Sequence, residues 1–347
     1  MLRLRHGSPL LWGCLLMGCG GQSAEKTLKS DHIVEASETL GGKWWLLPDL
    51  EGARVVLPDR PHSRAEIDAS HDGSNTVKRV REYRLSTNSM GLRGAEVGAK
   101  TPGVVRIVAL GDSVTHGWGV SRQEAYPAQL QEVLERRGHA VEVLNAGVPA
   151  NRLDTMETWC RVMAKQLEVD WILWTRRPDA RDANPTEVYR RHARACEQHS
   201  GAQLLVVLPP ISTFDPRGMK NYRQEWSRLK AAFSPTTEVV ELTEPFHAAQ
   251  AGRGEVLREQ DGMHQVVDQE TGRVWLETPV PRQSSHGPPG PAMDEAVYAL
   301  FESEPEVREA LFFDEGHPDA EGFTVFAESV ASAWEKAVEG SVQRGSR

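Results

Sequence analysis

The sequence has few cysteines, four in 347 residues, and no surplus of basic charge, since 40 Lys and Arg stand against 49 Asp and Glu for a net charge of −9. A chain with that balance lacks the electrostatic footprint of a nucleic-acid binder, so no nucleic-acid partner is expected. It also lacks any apolar run of about 18 residues, the length a helix needs to cross a bilayer. It has no internal repeat. No cysteine has the spacing of a metal-ligand set, and neither a metal nor another cofactor is expected. What is present is an ordinary globular composition, long enough to bury a full core in one large domain or two small ones.

The first residues read as a targeting segment. Arg3 and Arg5 make a basic start, and Pro9 to Gly18 is a short apolar stretch. Leu16-Met17-Gly18-Cys19 then resembles a bacterial lipobox, with Leu11-Trp12-Gly13-Cys14 a poorer copy. This makes 1–19 a lipoprotein signal peptide with Cys19 as the lipidated residue. The expected location is extracytoplasmic, lipid-anchored to a bacterial membrane at the periplasm or cell surface. An ordinary secretory signal is the alternative. Cys160 and Cys196 are then the cysteines of the mature chain, in a compartment that permits disulfides. Both fall on amphipathic helical patterns. They read first as two small buried core residues, with a bridge between neighbouring helices as the alternative.

Residues 20–43 are polar and aperiodic, and 20–75 reads as a tether with a lead-in segment. Trp44-Trp45-Leu46-Leu47 is expected to pack on the domain rather than on lipid. Residues 77–87 alternate weakly, as a strand would. From there to 338 the pattern is a βα alternation. Apolar runs at 104–110, 141–146, 171–174, 203–208 and 238–242 read as buried parallel strands. Between and after them lie helical stripes: Tyr126, Leu130, Val133 and Leu134; Met156, Cys160, Met163 and Leu167; Tyr222, Trp226, Leu229 and Phe233; Phe323, Phe326, Val330 and Trp334. Five strands alternating with helices predict an α/β fold, a three-layer α/β/α sandwich on a parallel sheet. Residues 246–312 exceed what that alternation needs. They read as an insertion at the rim, with a hairpin of Gln265–Asp268 and Arg273–Thr278 around Gly272, a Pro- and Gly-rich loop at 279–291 and a helix over 292–311. The tail at 339–347 reads as disordered.

Two segments carry chemistry. Residues 105–120, VRIVALGDSVTHGWGV, run from an apolar strand through Gly111-Asp112-Ser113 into a glycine-punctuated turn. Ligands in such sheets gather at the C-terminal ends of the strands, so Ser113 is placed to be a nucleophile rather than a plain helix cap. Residues 312–323, FFDEGHPDAEGF, hold Asp314 and His317 three apart before a helical pattern. A base must take the serine proton, and a carboxylate must hold the imidazole in the right tautomer. Asp261-Gly262-Met263-His264 repeats the Asp-x-x-His spacing, but before a hairpin and without the residues that follow His317. His116 has no obvious partner.

Gly-Asp-Ser-Val-Thr-His-Gly and Asp314-Glu315-Gly316-His317-Pro318 resemble the nucleophile block and the Asp-His block of SGNH hydrolases, the GDSL esterase/lipase superfamily. Asn88-Ser89-Met90-Gly91-Leu92-Arg93 resembles a segment that precedes the domain in many bacterial members. The resemblance spans roughly 80–245 and 312–338. It implies a five-stranded flavodoxin-like sheet of order 2-1-3-4-5 and hydrolysis of an ester through an acyl-serine on Ser113, with His317 and Asp314 completing the triad and no metal.

Two blocks depart from the family pattern. Where a glycine N–H helps form the oxyanion hole, this chain has Ala150, whose N–H still serves unless the site requires φ > 0. Gly147 is the fallback donor, beside the N–H of Ser113. Where an Asn side chain donates, Arg176-Arg177-Pro178-Asp179 puts Pro178, which donates nothing. Arg177, Arg176 and Asn184 are the nearby replacements, and an arginine would also suit an anionic substrate. The resemblance therefore implies an esterase acting on a small-molecule or glycan acyl ester, plausibly a short acyl group on envelope carbohydrate. The alternatives are a polysaccharide O-acetyltransferase using the same serine, and a catalytically dead module that binds glycan or a partner.

Overall fold

The computed structural model describes residues 27–29, 32–57, 81–179, 182–214, 216–233, 237–279, 300, 310–312 and 316–345. Its first strands are β1 (Thr27–Lys29), β2 (Val34–Ser37), β3 (Lys43–Leu46), β4 (Ala53–Leu57) and β5 (Arg81–Leu85). The main domain follows as β6 (Val105–Gly111), α1 (Ser113–His116), α2 (Tyr126–Arg136), β7 (Val141–Gly147), α3 (Leu153–Val162), β8 (Trp171–Thr175), α4 (Pro185–Ser200), β9 (Gln203–Leu208), α5 (Pro216–Phe233), β10 (Glu238–Glu241) and α6 (Thr243–Ala249). Strands β11 (Glu255–Gln260), β12 (Met263–Asp268) and β13 (Val274–Pro279) come next, and α7 (Ala320–Gly345) is last.

The central sheet is all parallel, in the order β10-β9-β8-β6-β7. Numbered along the chain, that is 2-1-3-4-5, as the sequence blocks implied. Its inner strands β6, β8 and β9 are mostly apolar because both faces are covered, while the edge strands β7 and β10 carry Glu142, Glu238 and Glu241. Alternation sends Val108, Leu110, Ile172, Trp174, Val206 and Leu208 to one side, under α3, α4 and α5. Ile107, Ala109, Leu173, Leu205 and Val207 point the other way, under α2, α6 and α7. The three layers follow from that two-residue period meeting helices with one apolar stripe each.

Four expectations change. The stretch read as a tether contains β1 to β4, in an antiparallel hairpin β2-β3 and a sheet β1-β4-β5. Ile33, Leu40, Trp45, Leu46, Val55 and Leu57 are buried in the same core as α3 and α4, and the ring of Trp45 stacks on Trp159 at 6.3 Å. Isolated apolar residues among polar ones carry too weak a period to announce such short strands. Trp44 does stay outside, 63% exposed. The tail is not disordered from 339: α7 runs to Gly345, and Ser341 Oγ donates to Gln203 Oε1 at 2.7 Å.

Cys160 on α3 and Cys196 on α4 form a disulfide, the alternative rather than the first reading. Both are fully buried where the two helices pack. The insertion holds a third strand, β11, paired along β12, while the loop at 280–291 and nearly all of the helix at 292–311 lie outside the described residues. Asp261 and Gly262, both at positive φ (52° and 75°), make the two-residue turn between β11 and β12, the favoured Asp-Gly hairpin connection.

The disulfide closes a loop of 36 residues, which by chain entropy corresponds to about 3–4 kcal/mol. Replacing both cysteines by serine should lower the unfolding free energy in urea by an amount of that order. It should also abolish the sensitivity of the transition to dithiothreitol.

Candidate active site

The site begins at the end of β6. Gly111 pairs with Gly147 on one side and Thr175 on the other. A Cβ on Gly111 would lie 2.2 Å from Thr115 Oγ1 and 2.3 Å from the Thr175 carbonyl, so only glycine lets the chain turn here. Asp112 caps the next turn, its Oδ1 accepting the Val114 N–H at 3.1 Å. Ser113 therefore stands first on α1, at the C-terminal edge of the sheet. Gly117, at φ 79°, stops the helix after one turn and returns its N–H to the carbonyls of Ser113 and Val114.

His317 arrives from the far end of the chain. Phe312 and Pro318 form an isolated antiparallel bridge. Phe312 is buried against Phe246, 5.5 Å between ring centres, and Asp319 N–H donates to the Leu311 carbonyl. Asp319 also caps α7, accepting the Gly322 N–H at 2.9 Å. This frame, anchored in the core, sets His317 Nε2 2.8 Å from Ser113 Oγ. With its proton on Nδ1, the ring accepts from the serine hydroxyl. The histidine is buried, 7% exposed. Asp314 lies outside the described residues.

Trp118, unassigned from the sequence, packs its ring 6.1 Å from that of His317 and ties its N–H to the Ser113 carbonyl. Its setting between Gly117 and Gly119 was the available signal, since a large ring flanked by glycines after a nucleophile turn has little reason to be there except packing at the site.

Behind the nucleophile lies a buried polar cluster. His116 is fully buried, with Nδ1 3.3 Å from the Gly147 carbonyl and Nε2 2.8 Å from the Tyr83 hydroxyl. A carbonyl only accepts, so Nδ1 carries the proton and Tyr83 donates to Nε2. Burial first, then the charge of Arg93, hold the His116 pKa well below the ordinary histidine value. Arg93 is buried too, and burial pulls its pKa down to about 10. No carboxylate pairs with it among the described residues. Its guanidinium donates instead to the carbonyls of His116, Gly117, Val120 and Arg84, and lies 5.1 Å from the Tyr83 ring centre. Asn88-Ser89-Met90-Gly91-Leu92-Arg93 thus delivers a cation to the back of the serine turn. Asn88 Oδ1 folds that segment by accepting the N–H groups of Met90 and Leu92.

The oxyanion candidates separate. Neither Ser113 N–H nor Ala150 N–H donates to an acceptor among the described residues. Ala150 sits at φ 56°, the left-handed conformation in which a non-glycine residue costs about 1–2 kcal/mol; the expectation that the site would not require φ > 0 is therefore overturned, and alanine occupies a position suited to glycine. Gly147 is corrected: its N–H donates to Asn145 Oδ1 at 2.9 Å. Its lack of a side chain serves packing, as a Cβ would fall 2.1 Å from His116 N. The Asn184 side-chain oxygen caps α4 by accepting the Glu187 N–H.

The two arginines diverge. Arg177 acts electrostatically on the half-buried Glu225 of α5, whose pKa burial raises. Arg176 turns to the nucleophile instead. Its Nη1 donates to the Asn151 carbonyl and lies 3.5 Å from Asp112 Oδ2. Asn151 in turn donates from Nδ2 to the Gly111 carbonyl at 3.1 Å. Arg176 Nε, like Arg93 Nε, is buried with no partner among the described residues, a state that costs on the order of 1–3 kcal/mol.

His264 does not join the site. It lies inside β12, opposite Glu259 and Thr278. A depression of about 440 Å³ bordered by Lys100, Val105 and Asp170 is at the N-terminal end of β6, the wrong edge for Ser113. No group of three or more potential metal ligands occurs among the described residues.

Sheet order, layers and the approach of His317 to Ser113 agree with the fold that the resemblance to SGNH hydrolases implied. Among solved structures it is similar to a two-domain esterase (CEX) active on acetylated mannans, at 13% identity and a TM-score of 0.42, over 67% of this chain and 49% of that one. It is similar to a member of the lipolytic protein G-D-S-L family from Veillonella parvula DSM 2008, at 14% identity and a TM-score of 0.39, over 67% and 98% of the two chains. A third is the psychrotrophic esterase EstA from Pseudoalteromonas sp., at 12% identity and a TM-score of 0.40, over 67% and 98%. The aligned part spans about half the length of the two-domain esterase. No family model and no curated protein matches the sequence.

The burial of His116 has a consequence for stability. Unfolded, this histidine takes up a proton near pH 6.5; folded, it stays neutral to much lower pH. The unfolded state thus binds more protons below that value, and the contribution present above it is lost as pH falls. Between pH 7 and 5 the unfolding free energy should drop, with this residue adding up to about 1.4 kcal/mol per pH unit. His116→Gln should flatten the dependence in denaturant titrations at both pH values.

Proposed function

We propose that the chain is a serine ester hydrolase that works through an acyl-Ser113 intermediate, lipid-anchored outside the cytoplasm. The observation that carries the proposal is the 2.8 Å approach of His317 Nε2 to Ser113 Oγ across 204 residues of sequence. That distance is within hydrogen-bond reach of a general base. A serine on a sharp strand-to-helix turn with a histidine at its hydroxyl is the arrangement of an activated nucleophile.

The steps follow from the groups present. Ser113 Oγ adds to the ester carbonyl carbon as His317 Nε2 takes the hydroxyl proton. The carbonyl electron pair moves onto oxygen, and the N–H groups of Ser113 and Ala150 are assigned to receive that charge. The tetrahedral species collapses, the C=O bond re-forms, and the leaving alcohol departs with the proton from His317. Water then repeats the sequence on the acyl-serine, giving up a proton to His317 as it adds, and Ser113 recovers it. Asp314 is assigned the role of holding Nδ1–H of His317, as its spacing suggests. His116 is excluded as the base, since both its nitrogens are engaged and burial keeps it neutral.

The proposed substrate is a short acyl ester on cell-envelope carbohydrate, in line with the resemblance and the proposed location. The lipobox at Cys19 supports that location, and so does the Cys160–Cys196 bridge, since disulfides persist in oxidising compartments. Cys19 lies outside the described residues. Among the described residues no helix is long and apolar enough to cross a membrane.

A fluorophosphonate probe tests the nucleophile without knowledge of the substrate. Ser113 of the folded protein should take the label, and Ser113→Ala should abolish it; a folded wild-type protein that stays unlabelled would establish the dead-module reading. On a small activated ester, His317→Ala should lose nearly all turnover while His264→Ala keeps it. Comparable losses would remove His317 as the base. Running the same acetyl donor with and without a sugar acceptor separates hydrolysis from transfer.

Anchoring has its own test. Cys19→Ala should move the protein from the detergent-extractable membrane fraction to the soluble fraction. Unchanged membrane association would instead implicate the exposed Trp44 or an uncleaved signal.

A further inference from the structure

We propose that Arg176 is a catalytic residue, with its guanidinium supplying the side-chain donor of the oxyanion hole through Nη2. The inference rests on the ester-hydrolase reading above and adds a residue to it. Three observations carry it. The first is position. Thr175 ends β8 in register with Gly111, so Arg176 leaves the sheet beside Asp112, the residue before the nucleophile. The second is how the group is held. Nη1 is fixed from two sides, donating to the Asn151 carbonyl and facing Asp112 Oδ2 at 3.5 Å. Asn151 follows Ala150, whose N–H is one of the two backbone donors, and its own side chain is bonded to the Gly111 carbonyl. The guanidinium is thereby aligned against both segments that carry the backbone donors.

The third observation is what is left over. Arg176 is largely buried, with 16% of its side chain exposed. Nε is buried without an acceptor, and Nη2 bonds to none of the described residues. A planar cation clamped at one nitrogen and unsatisfied at another is pre-oriented to meet negative charge that appears only during reaction. The charge is the carbonyl oxygen of the substrate once Ser113 Oγ has bonded to its carbon and the π electron pair has moved onto oxygen. Arg176 keeps its protons throughout and donates a hydrogen bond. Pro178, two residues on, has no N–H to offer.

A residue that acts mainly on the transition state lowers kcat and leaves KM nearly alone. The test is steady-state kinetics of Arg176→Ala and Arg176→Lys on one neutral and one anionic activated ester, with thermal unfolding and fluorophosphonate labelling of each variant. Arg176→Ala should lose about 10²-fold or more in kcat on the neutral ester, with KM within about threefold. Added guanidinium ion should restore part of the rate, which a purely structural brace would not show. If Arg176→Ala fails to fold, Arg176→Lys carries the same readout, since a point charge of different reach cannot reproduce the planar donor. Unchanged kcat overturns the proposal, and so does a rise in KM confined to the anionic ester. A fall in kcat with a matching loss of thermal stability and no rescue makes Arg176 a brace and also overturns it. If wild-type protein is neither labelled nor active, the esterase reading itself fails and takes this assignment with it. If wild type is labelled and active while the Arg176 variants match it, only the Arg176 assignment fails.

Discussion

Gly111 and Gly147 let three backbones meet more closely than side chains would allow. A Cβ on Gly111 would overlap Thr115 Oγ1 and the Thr175 carbonyl, and one on Gly147 would overlap the backbone of Thr115 and His116. Because both positions are bare, α1 drops directly onto the ends of β6 and β7. That descent fixes the direction of Ser113, brings Asn151 Nδ2 within reach of the Gly111 carbonyl, and puts the Gly147 carbonyl against His116 Nδ1. The nucleophile is thus aimed by steric exclusion before any polar contact acts on it.

The polar contacts then make the arrangement rigid. Arg93 is a buried cation whose two terminal nitrogens are bonded to carbonyls rather than to a carboxylate, with Nε left without a partner among the described residues. An unpaired buried charge is costly, but four carbonyl acceptors and the face of Tyr83 offset that cost while gathering the loop after α1 around one point. His116 and Tyr83 extend the cluster to β5. The N-terminal strands are therefore part of the site's foundation: Tyr83 belongs to β5 and shares one core with Trp45, Trp159 and the disulfide-linked helices. A neutral His116 between a tyrosine and a carbonyl adds a rigid wall without competing with His317 for the serine proton.

The βα alternation, the five strands within a residue or two, and the pairing of Ser113 with His317 rather than His264 were all legible in the sequence. They rest on strong local signals: continuous apolar runs, helical stripes, and a Gly-Asp-Ser turn after a strand. The weak points were equally physical. Asp261-Gly262 carried a hairpin signal that identifies β11 and β12, yet it resembled an Asp-x-x-His pair. Strands β1 to β3 have at most two buried residues each, too few to show a period, and the alternation of Ala53, Val55 and Leu57 in β4 spans only five residues. Helix α7 continued past 338 because a helix end depends on packing and capping as much as on composition.

The sequence by itself determined the order of strands and helices, the two-faced burial of the sheet and which serine and histidine meet, because these depend on local periodicity and residue type. Only the tertiary structure decided which donor goes where. On paper Gly147 was the fallback backbone donor, and Arg176, Arg177 and Asn184, all after the end of β8, were candidates for the missing side-chain donor. Folding engaged the Gly147 N–H with Asn145, used Asn184 as a cap and left Arg176 against Asp112 and Asn151. Side-chain direction at a loop is set by long-range contacts, and no spacing along the chain encodes those.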